Sequence, residues 1–476
     1  MKARLQRKRY IMWPGMLALL LILAGCGGSS DLPTPTPQST LILAPQPSPG
    51  TTQTTTPTTS PGADWTTYHN DNTRTGYIAD TPVPGSLTQA WNKHLDGAVY
   101  GEPLVVNGHV IVATEGDSLY SLDAHSGQVL WHTKVGTPVP LSSLPCGDID
   151  PLGITGTPVY DSDTHLVFAV AEVTGFSHIL IGLDVNTGKV LVRQPVDAPG
   201  MDARAHQQRA ALAVSHGMVY VAYGGLDGDC SDYIGRVVAL HTNGQGPLLV
   251  YTVPTSREGG IWAPSGPAVD GSGNIYVAVG NGASTGGNWD HSDSILKLSP
   301  TLKLEDGFAP QQWPQENAGD VDLGSTGPIL LAGGLIFADG KSGLGYLLHA
   351  NALGGVGGQA AVARVCTAFG GFAAQDTTII VPCTDGIRQV VISPGGQITV
   401  GWHARGQVTG SPVIGGHTVY SLDPNGGTLY ALNMQDGSIV TSLPVGATSR
   451  FATPTLSSGM VLVGTMSGVT AVRINS

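Results

Sequence analysis

The sequence has few charged residues and few aromatic ones. Only 12% of its 476 residues are charged and 6% are aromatic, whereas glycine occurs 67 times. This balance is typical of many short strands joined by tight turns rather than of long helices. The chain also has no Cys-x-x-Cys-His motif, no glycine-rich phosphate loop and no zinc-type cluster of cysteines and histidines. These absences exclude c-type haem, a P-loop nucleotide site and a zinc finger.

The apolar run near the N-terminus is too short for a membrane-spanning helix. It extends over 14 residues, from Ile11 to Ala24, and includes Pro14, whereas a spanning helix needs about 20 apolar residues. Basic residues precede it, an order typical of an export signal. Leu23-Ala24-Gly25-Cys26 is similar to a bacterial lipobox, in which the cysteine carries the acyl chains that anchor the protein. We therefore expect residues 1–25 to be a lipoprotein signal peptide; the alternative is an ordinary signal peptide with an incidental cysteine.

The next segment is rich in glycine, serine, threonine and proline. Residues 26–63 cannot bury a core with this composition, which predicts a tether between the membrane and a folded body at residues 64–476. Five of the 22 basic residues and none of the 34 acidic ones lie in the first 25 positions, so the mature chain has 17 basic and 34 acidic residues. Such an acidic body repels nucleic acid and anionic lipid. We expect a monomer on the cell membrane, held by the lipid and facing away from the cytoplasm.

Four cysteines remain after the lipid-bearing one. An even number in an oxidising compartment predicts disulfides, of which three connectivities are possible. We favour Cys146–Cys230 and Cys366–Cys383, because the 17 residues between the second pair suit strands in neighbouring repeats. A loop of that size contributes about 3 kcal/mol by chain entropy. The alternative is four free, buried thiols.

A repeated unit is the main signal in the chain. It opens with a small residue and proline, as in Glu102-Pro103-Leu104-Val105-Val106. A turn such as Leu122-Asp123-Ala124-His125-Ser126-Gly127 separates its second strand from its third. The aspartate can bond to the turn backbone and the glycine can adopt positive φ. Further openings lie at Pro158, Arg209, Pro267, Pro328, Phe372, Pro412 and Pro454. Eight openings predict about eight four-stranded blades.

The ends of the repeat array indicate a closed ring. The last copy reaches Ser476 after only two or three strands, and the segment Thr88–Leu95, just before the first copy, can supply the missing outer strand. Such closure leaves no open sheet edge, whereas an open solenoid would keep two. The prediction is an all-β, closed propeller.

This unit resembles the pyrroloquinoline quinone (PQQ) repeat, which occurs in bacterial quinoprotein alcohol dehydrogenases and in propellers without enzymatic activity. The resemblance covers residues from Asp64 to the C-terminus and includes the lead-in Asp64-Trp65-Thr66-Thr67-Tyr68. It implies the fold strongly. It implies activity only weakly, because the repeats stabilise blades with or without a cofactor.

The resemblance also implies a set of cofactor-site residues. Trp262 matches the family's tryptophan beneath the quinone, and Lys341 matches the lysine that reaches the quinone oxygens. Asn281 matches an asparagine that gives an oxygen to calcium, with Asp229 or Cys230 where the family has a glutamate. Asp320 matches the general base, although Gly319 replaces the preceding tryptophan. The order of these motifs is the family's order, and in a propeller it places them around one axial mouth.

Structural roles account for the same residues without any chemistry. Trp262 can wedge two blades together, Asn281-Gly282 is a common turn, Asp320 can cap a turn, and Lys341 can be a solvated loop residue. The adjacent cysteine pair that many PQQ alcohol dehydrogenases carry is also absent. We therefore expect a propeller that binds a small molecule or a protein on one face. A PQQ- and Ca²⁺-dependent alcohol or sugar dehydrogenase and an envelope assembly or scaffold factor are the alternatives.

Overall fold

A computed structural model describes residues 64–476 of the chain. The expected signal peptide, the tether and Cys26 lie outside the described residues. Residues 64–476 form eight sheets, which are the blades of a propeller; their strands are antiparallel except for the short parallel additions of residues 77–78 and 355–356. The predicted all-β propeller fold is therefore confirmed. No helix within residues 64–476 is long and apolar enough to cross a membrane.

Two strands precede the first complete blade, and blades 1 to 3 follow in chain order. The first two strands are β1 (Tyr77–Ile78) and β2 (Ser86–His94). Blade 1 consists of β3 (Leu104–Val106), β4 (His109–Thr114), β5 (Ser118–Asp123) and β6 (Val129–Lys134). Blade 2 consists of β7 (Val159–Asp161), β8 (Leu166–Val173), β9 (Ser177–Asp184) and β10 (Val190–Pro195). Blade 3 consists of a short accessory strand, β11 (His206–Gln207), and β12 (Ala213–Ser215), β13 (Met218–Gly225), β14 (Arg236–His241) and β15 (Leu249–Thr252).

In blades 4 and 5, the chain segment that forms blade 5 also contributes one short strand to the sheet of blade 4. Blade 4 consists of β16 (Ala268–Val269), β17 (Ile275–Val279), β18 (Ser294–Leu298) and β19 (Leu304–Ala309). Blade 5 begins with β20 (Ile329–Leu331), β21 (Leu335–Ala338) and β22 (Leu344–His349). The chain then forms β23 (Gly355–Val356), which pairs with β19, before blade 5 ends with β24 (Ala361–Arg364).

Blades 6 to 8 have the same meander order. Blade 6 consists of β25 (Ala373–Gln375), β26 (Thr378–Val381), β27 (Arg388–Ile392) and β28 (Ile398–His403). Blade 7 consists of β29 (Val413–Gly415), β30 (Thr418–Asp423), β31 (Thr428–Asn433) and β32 (Ile439–Pro444). Blade 8 contains β33 (Thr455–Ser457), β34 (Met460–Thr465) and β35 (Gly468–Asn475). The helical segments of the described chain are α1 (Trp313–Gly319) and the 3₁₀ turns Leu141–Ser143, Ala203–Ala205, Leu323–Ser325 and Ala332–Gly334.

The N-terminal strand closes the ring. Strand β2 pairs antiparallel with β35, from Ser86 opposite Asn475 to His94 opposite Gly468. It is therefore the outer strand of blade 8, as the short last repeat predicts. Each predicted opening also stands immediately before an innermost strand, except Arg209, which lies four residues before β12.

The turn motif of the repeat holds neighbouring blades together. Trp131 on the outer strand of blade 1 donates its indole N–H to the carbonyl oxygen of Val185, in the turn of blade 2, at 2.8 Å. The same turn contains Gly188, where an added Cβ would stand 2.6 Å from the Trp131 ring. Glycine is required there by this close approach and by its φ of +68°. Trp91 with Gly127 and Trp402 with Gly437 repeat the arrangement at two other blade boundaries.

The segment before β1 crosses the centre of the ring. Residues 64–76 make hydrogen bonds with all eight blades, through Val105, Tyr160, Leu212, Pro267, Leu330, Phe372, Ile414 and Thr453. Its buried His69 donates from Nδ1 to the Phe372 carbonyl, and Nε2 accepts from Thr453. Burial lowers the pKa of His69 to about 3, so the ring is neutral. This axial segment fixes the eight inner strands in one register around the axis.

Both expected disulfides are present. Cys146–Cys230 joins the connection between blades 1 and 2 to the β13–β14 loop of blade 3. Cys366–Cys383 joins the end of blade 5 to blade 6. The expected pairing is therefore confirmed. The first bridge ties together two loops at one face of the ring.

Candidate functional site

Two cavities adjoin at one mouth of the propeller. The larger has a volume of about 270 Å³ and the smaller about 100 Å³. Their walls come from the connections between blades and from the loops between second and third strands. Both cavities are lined by Arg209, Asp227, Arg450 and Phe451, which form the partition between them. Only the larger cavity approaches the roughly 300–1,000 Å³ of a usual small-molecule site.

The smaller cavity contains most of the residues that the sequence singles out. Trp262, Asp229 and Lys341 line it directly. Asn281 and Asp320 lie beside it, where Asn281 Nδ2 donates to Asp320 Oδ1 at 2.6 Å. The structure thus brings the five predicted residues to one face. Their chemical roles stay predictions.

Trp262 is packed between glycines and an arginine. Added Cβ atoms at Gly224, Gly260 and Gly280 would stand 2.3–2.8 Å from the indole. The guanidinium carbon of Arg209 lies 5.7 Å from the centroid of the Trp262 ring, and Arg209 Nε donates to the Trp262 carbonyl oxygen at 3.1 Å. A flat cofactor on the ring face beneath Arg209 would have to displace that guanidinium.

Lys341 forms ion pairs with both aspartates of the Asp320-Val321-Asp322 segment. Its Nζ lies 2.8 Å from Asp320 Oδ1 and 2.6 Å from Asp322 Oδ2. Asp322 is fully buried, whereas the side chain of Asp320 is 74% exposed and ends helix α1 with a φ of 51°. Burial raises the pKa of Asp322, and Lys341 opposes that rise. Burial by itself lowers the pKa of Lys341, but the two aspartates outweigh it and raise that pKa.

These residues do not fit a calcium ion. Calcium takes about six to eight oxygens, and within residues 64–476 no group of three or more aspartates, glutamates, histidines or cysteines is placed to hold a metal. Asp320 Oδ1 already accepts from Lys341 and Asn281. Asp229 Oδ1 accepts from the Tyr233 hydroxyl, and Cys230 is in a disulfide. Asn281 Oδ1 and Asp322 Oδ1 are buried without a hydrogen-bond partner, and two oxygens are far fewer than a calcium ion takes.

The larger cavity is lined by hydroxyl groups without partners. The side chains of Thr448 and Ser449, which precede β33, are 8% and 5% exposed, and their hydroxyl oxygens make no hydrogen bond. The buried Tyr68 of the axial segment also lines the cavity, and its hydroxyl interacts with Ser411. A buried hydroxyl without a partner costs about 1–3 kcal/mol. Two such groups side by side in one cavity indicate a place for a molecule that supplies the missing hydrogen bonds.

Two arginines at the partition share one phenyl ring. The guanidinium carbons of Arg209 and Arg450 lie 5.4 Å and 4.7 Å from the centroid of Phe451, and Arg450 also lies over Phe369. Neither arginine forms an ion pair with a carboxylate among the described residues. Burial and the charge of Arg450 lower the pKa of Arg209. Cation–π contacts hold the two like charges together, and no carboxylate neutralises them at contact distance.

Comparison with known proteins identifies the repeat. The family described as outer membrane protein assembly factor BamB matches residues 84–278. The repeats at residues 84–278 of this β-propeller are therefore similar to those of that family. The dehydrogenase subunit of the alcohol dehydrogenase (quinone) of Gluconobacter oxydans is 25% identical to this chain over 216 residues. That match covers 44% of this chain and only 26% of the Gluconobacter protein.

Solved structures of similar fold include an enzyme and an assembly factor. The quinohemoprotein alcohol dehydrogenase of Comamonas testosteroni superposes with a TM-score of 0.69 at 15% identity, over 86% of this chain and 80% of the enzyme. BamB of Moraxella catarrhalis superposes with a TM-score of 0.57 at 17% identity, over 82% of this chain and all of BamB. At these identities the likeness shows the fold of the PQQ-repeat propeller and no activity.

The larger cavity of this PQQ-repeat propeller was not predicted from the sequence. Arg209 opens a degenerate repeat copy, and Thr448, Ser449 and Arg450 lie in an ordinary connection before β33. The one available signal was the pair of basic residues at inter-blade connections of an acidic protein. Sequence alone does not show that such residues meet across the ring.

Proposed function

We propose that the protein is a binding propeller that captures a small anionic ligand in the larger cavity of its mouth. The observation that carries this proposal is the pair of guanidiniums on Phe451, which no carboxylate of the described chain neutralises at ion-pair distance. A planar fork of N–H donors is well suited to a carboxylate or another oxyanion. On a mature chain with twice as many acidic as basic residues, two arginines without counter-ions form a local site for negative charge.

A recessed cavity favours a small ligand over a protein partner. An assembly or scaffold role, as the name of the BamB relatives suggests, needs an exposed surface rather than a cavity of about 270 Å³. A PQQ- and calcium-dependent dehydrogenase is supported by the relative's name and by the meeting of Trp262, Asn281, Asp320 and Lys341. It is opposed by the ion pairs of Lys341, by the small volume beside Trp262 and by the absence, within residues 64–476, of a group of three or more acidic, histidine or cysteine side chains placed to hold a metal.

The proposal places the mouth outside the cytoplasm. The lipobox at Cys26 and the tether at residues 26–63 support attachment to the outer side of a membrane by acyl chains. Cys26→Ser would then release the protein into the soluble extracytoplasmic fraction. Retention of this variant in the membrane fraction after a high-salt wash would contradict the lipid anchor.

Calorimetric titration of the purified propeller tests the binding function. Benzoate, citrate and glucuronate are the anionic probes, and glucose is the neutral one. We expect at least one anion to bind, with an affinity about tenfold lower in Arg450→Gln and unchanged in Arg473→Gln. Arg473 is an exposed arginine on β35 that lines neither cavity. The absence of binding by every anion, or equal affinities in the two variants, would overturn the proposal.

PQQ with Ca²⁺ and an artificial electron acceptor tests the rival function in the same preparation. Cofactor absorbance and turnover that is lost in Asp320→Asn would establish a dehydrogenase and contradict a purely binding role, since that substitution removes the candidate base and keeps its shape.

A further inference from the structure

The larger cavity combines three kinds of hydrogen-bonding group that no single simple anion would satisfy. The arginine pair, Arg209 and Arg450, lies at the partition. The unpartnered hydroxyls of Thr448 and Ser449 lie along the wall, together with the hydroxyl of Tyr68. Two exposed carboxylates, Asp148 and Asp227, lie at the rim. Together these groups restrict the chemistry of the ligand more narrowly than its charge alone.

The hydroxyls of the cavity wall are best satisfied by ligand groups that can both donate and accept hydrogen bonds. A hydroxyl has one donor and two acceptor positions, and those of Thr448 and Ser449 have no protein partner. A carboxylate could accept from them but could not donate back. Hydroxyl groups on the ligand can do both, so a polyol satisfies this wall more completely than a plain carboxylate.

The rim carboxylates limit the negative charge of the ligand. Asp148 and Asp227 lie close enough to raise the pKa of Arg209, although neither forms an ion pair with it. A second or third carboxylate on the ligand would approach these aspartates and be repelled. Ligand hydroxyls, by contrast, could donate to them. The rim therefore favours one negative charge, next to the arginines, and neutral donors elsewhere.

An apolar wall completes the cavity. Tyr100 and the buried Ile149 lie among its lining residues. Such surfaces pack against the C–H face of a saturated ring, whereas a volume of about 270 Å³ limits the ligand to about one ring.

We infer that the ligand is a polyhydroxylated monocarboxylate, a sugar acid of the hexuronate type. This inference rests on the proposed function and specifies its ligand class. The carboxylate lies against Arg450 and Arg209, and the ring hydroxyls bond to Tyr68, Thr448 and Ser449. The rim aspartates accept from the hydroxyls nearest the solvent.

Calorimetric titration with four probes separates the ligand classes. D-glucuronate has both the carboxylate and the hydroxyls, glucose has only hydroxyls, benzoate has only a carboxylate and a ring, and citrate has three carboxylates. We expect glucuronate to bind at least tenfold more tightly than each of the other three. Tighter binding of citrate or benzoate would overturn the sugar-acid inference and leave the anion-binding function standing. Failure of every anion to bind would overturn both.

Two variants test the hydroxyl wall directly. Thr448→Val and Ser449→Ala each remove one hydroxyl and are expected to lower glucuronate affinity about fivefold while leaving any weak benzoate affinity unchanged. Thr399→Val is the matched control, because Thr399 is exposed on the outer strand β28 and lines neither cavity. Equal glucuronate affinities in Thr448→Val, Ser449→Ala and the control would contradict the inference. Retained glucuronate affinity in Arg450→Gln, together with equal binding of glucose, would instead contradict the anionic character of the site.

Discussion

The two cavities of the mouth differ in how their polar groups are satisfied. In the smaller cavity the charged groups pair with one another, since Lys341 contacts two aspartates, Asp320 also accepts from Asn281, and Asp229 accepts from a tyrosine. In the larger cavity the buried hydroxyls of Thr448 and Ser449 have no partner, and the arginines at its edge have no ion pair. In the first arrangement the charged side chains are paired within the protein, and the atoms left without a partner are the acceptor oxygens Asn281 Oδ1 and Asp322 Oδ1. In the second arrangement, a bound ligand is required to supply the missing partners of the hydroxyls and arginines.

The two cavities show that a residue can match a functional motif and still have its polar groups occupied by neighbouring side chains. A residue can bind a ligand more easily when its polar groups have no partner in the protein. A side chain that is saturated by its neighbours stabilises the fold, and a ligand must first break those contacts. A buried group without a partner costs stability in the free protein and recovers that cost on binding. Lys341, Asp320 and Asp229, which match the family's motifs, belong to the first class here. Thr448 and Ser449, which match no motif, belong to the second.

The largest expected effect comes from breaking the smaller cavity's ion pairs. Lys341→Met leaves the fully buried Asp322 without its partner, and removal of one member of a buried pair costs about 3–5 kcal/mol. We expect the free energy of unfolding in urea to fall by about 3 kcal/mol, near the lower limit, because Lys341 is partly exposed and Asp322 can take up a proton. Asp320→Asn is the comparison, and its loss should stay below about 1 kcal/mol since Asp320 is mostly exposed. Equal losses of unfolding free energy in the two variants would show that the Lys341–Asp322 ion pair does not stabilise the fold more than the Lys341–Asp320 pair does.

A buried charged cluster around His178 allows the contribution of paired charges to stability to be measured as a function of pH. His178 lies between blades 2 and 3, with Nδ1 2.6 Å from Asp197 Oδ1 and Nε2 3.3 Å from Glu172 Oε2. Burial by itself lowers the pKa of His178, but the two carboxylates outweigh it and raise the pKa to about 9. A raised folded-state pKa stabilises the fold fully below the unfolded value of about 6.5, and the stabilisation is lost as pH rises through 9.

The expected measurement is the difference in unfolding free energy between the wild type and His178→Gln. This difference should be constant below about pH 6 and should shrink by up to about 3 kcal/mol on going to pH 9 or above. Subtracting the variant removes the pH dependence of the nearby Glu115 and Asp117, whose pKa values burial raises to about 8 and about 7. A difference that does not change with pH would mean that His178 is neutral between its carboxylates.

The fold could be predicted from the sequence because its determinants are local and repeated. A proline before most of the inner strands and a glycine beneath a tryptophan, as at Gly188 and Trp131, depend on the chain within one or two blades. Ring closure followed from counting the strands after Pro454 and finding the missing one at β2. Each of these inferences needs only the order of residues along the chain.

The larger cavity could not be predicted because its defining property is the absence of contacts. Tyr68, Arg209 and Thr448 come from the axial segment and from two connections that are distant in sequence. Whether the hydroxyl of Thr448 has a partner depends on atoms from several blades at once. By contrast, Asp320 and Lys341 could be placed near one another through the order of family motifs, but the ion pairs that occupy them depend on the three-dimensional arrangement.

The smallest expected effect is also the most discriminating, because its sign differs from that of most core substitutions. Thr448→Val removes a buried hydroxyl without a partner and keeps the shape of the side chain, so the ligand-free protein should gain about 1 kcal/mol of unfolding free energy. Thr470→Val is the matched control, because the buried hydroxyl of Thr470 donates to the Val445 carbonyl oxygen at 2.9 Å. That variant should lose about 1–2 kcal/mol, since the carbonyl is left without its donor. Both values come from urea unfolding followed by circular dichroism. If Thr448→Val loses as much stability as Thr470→Val, the hydroxyl of Thr448 is already satisfied, and the larger cavity no longer differs from the smaller one.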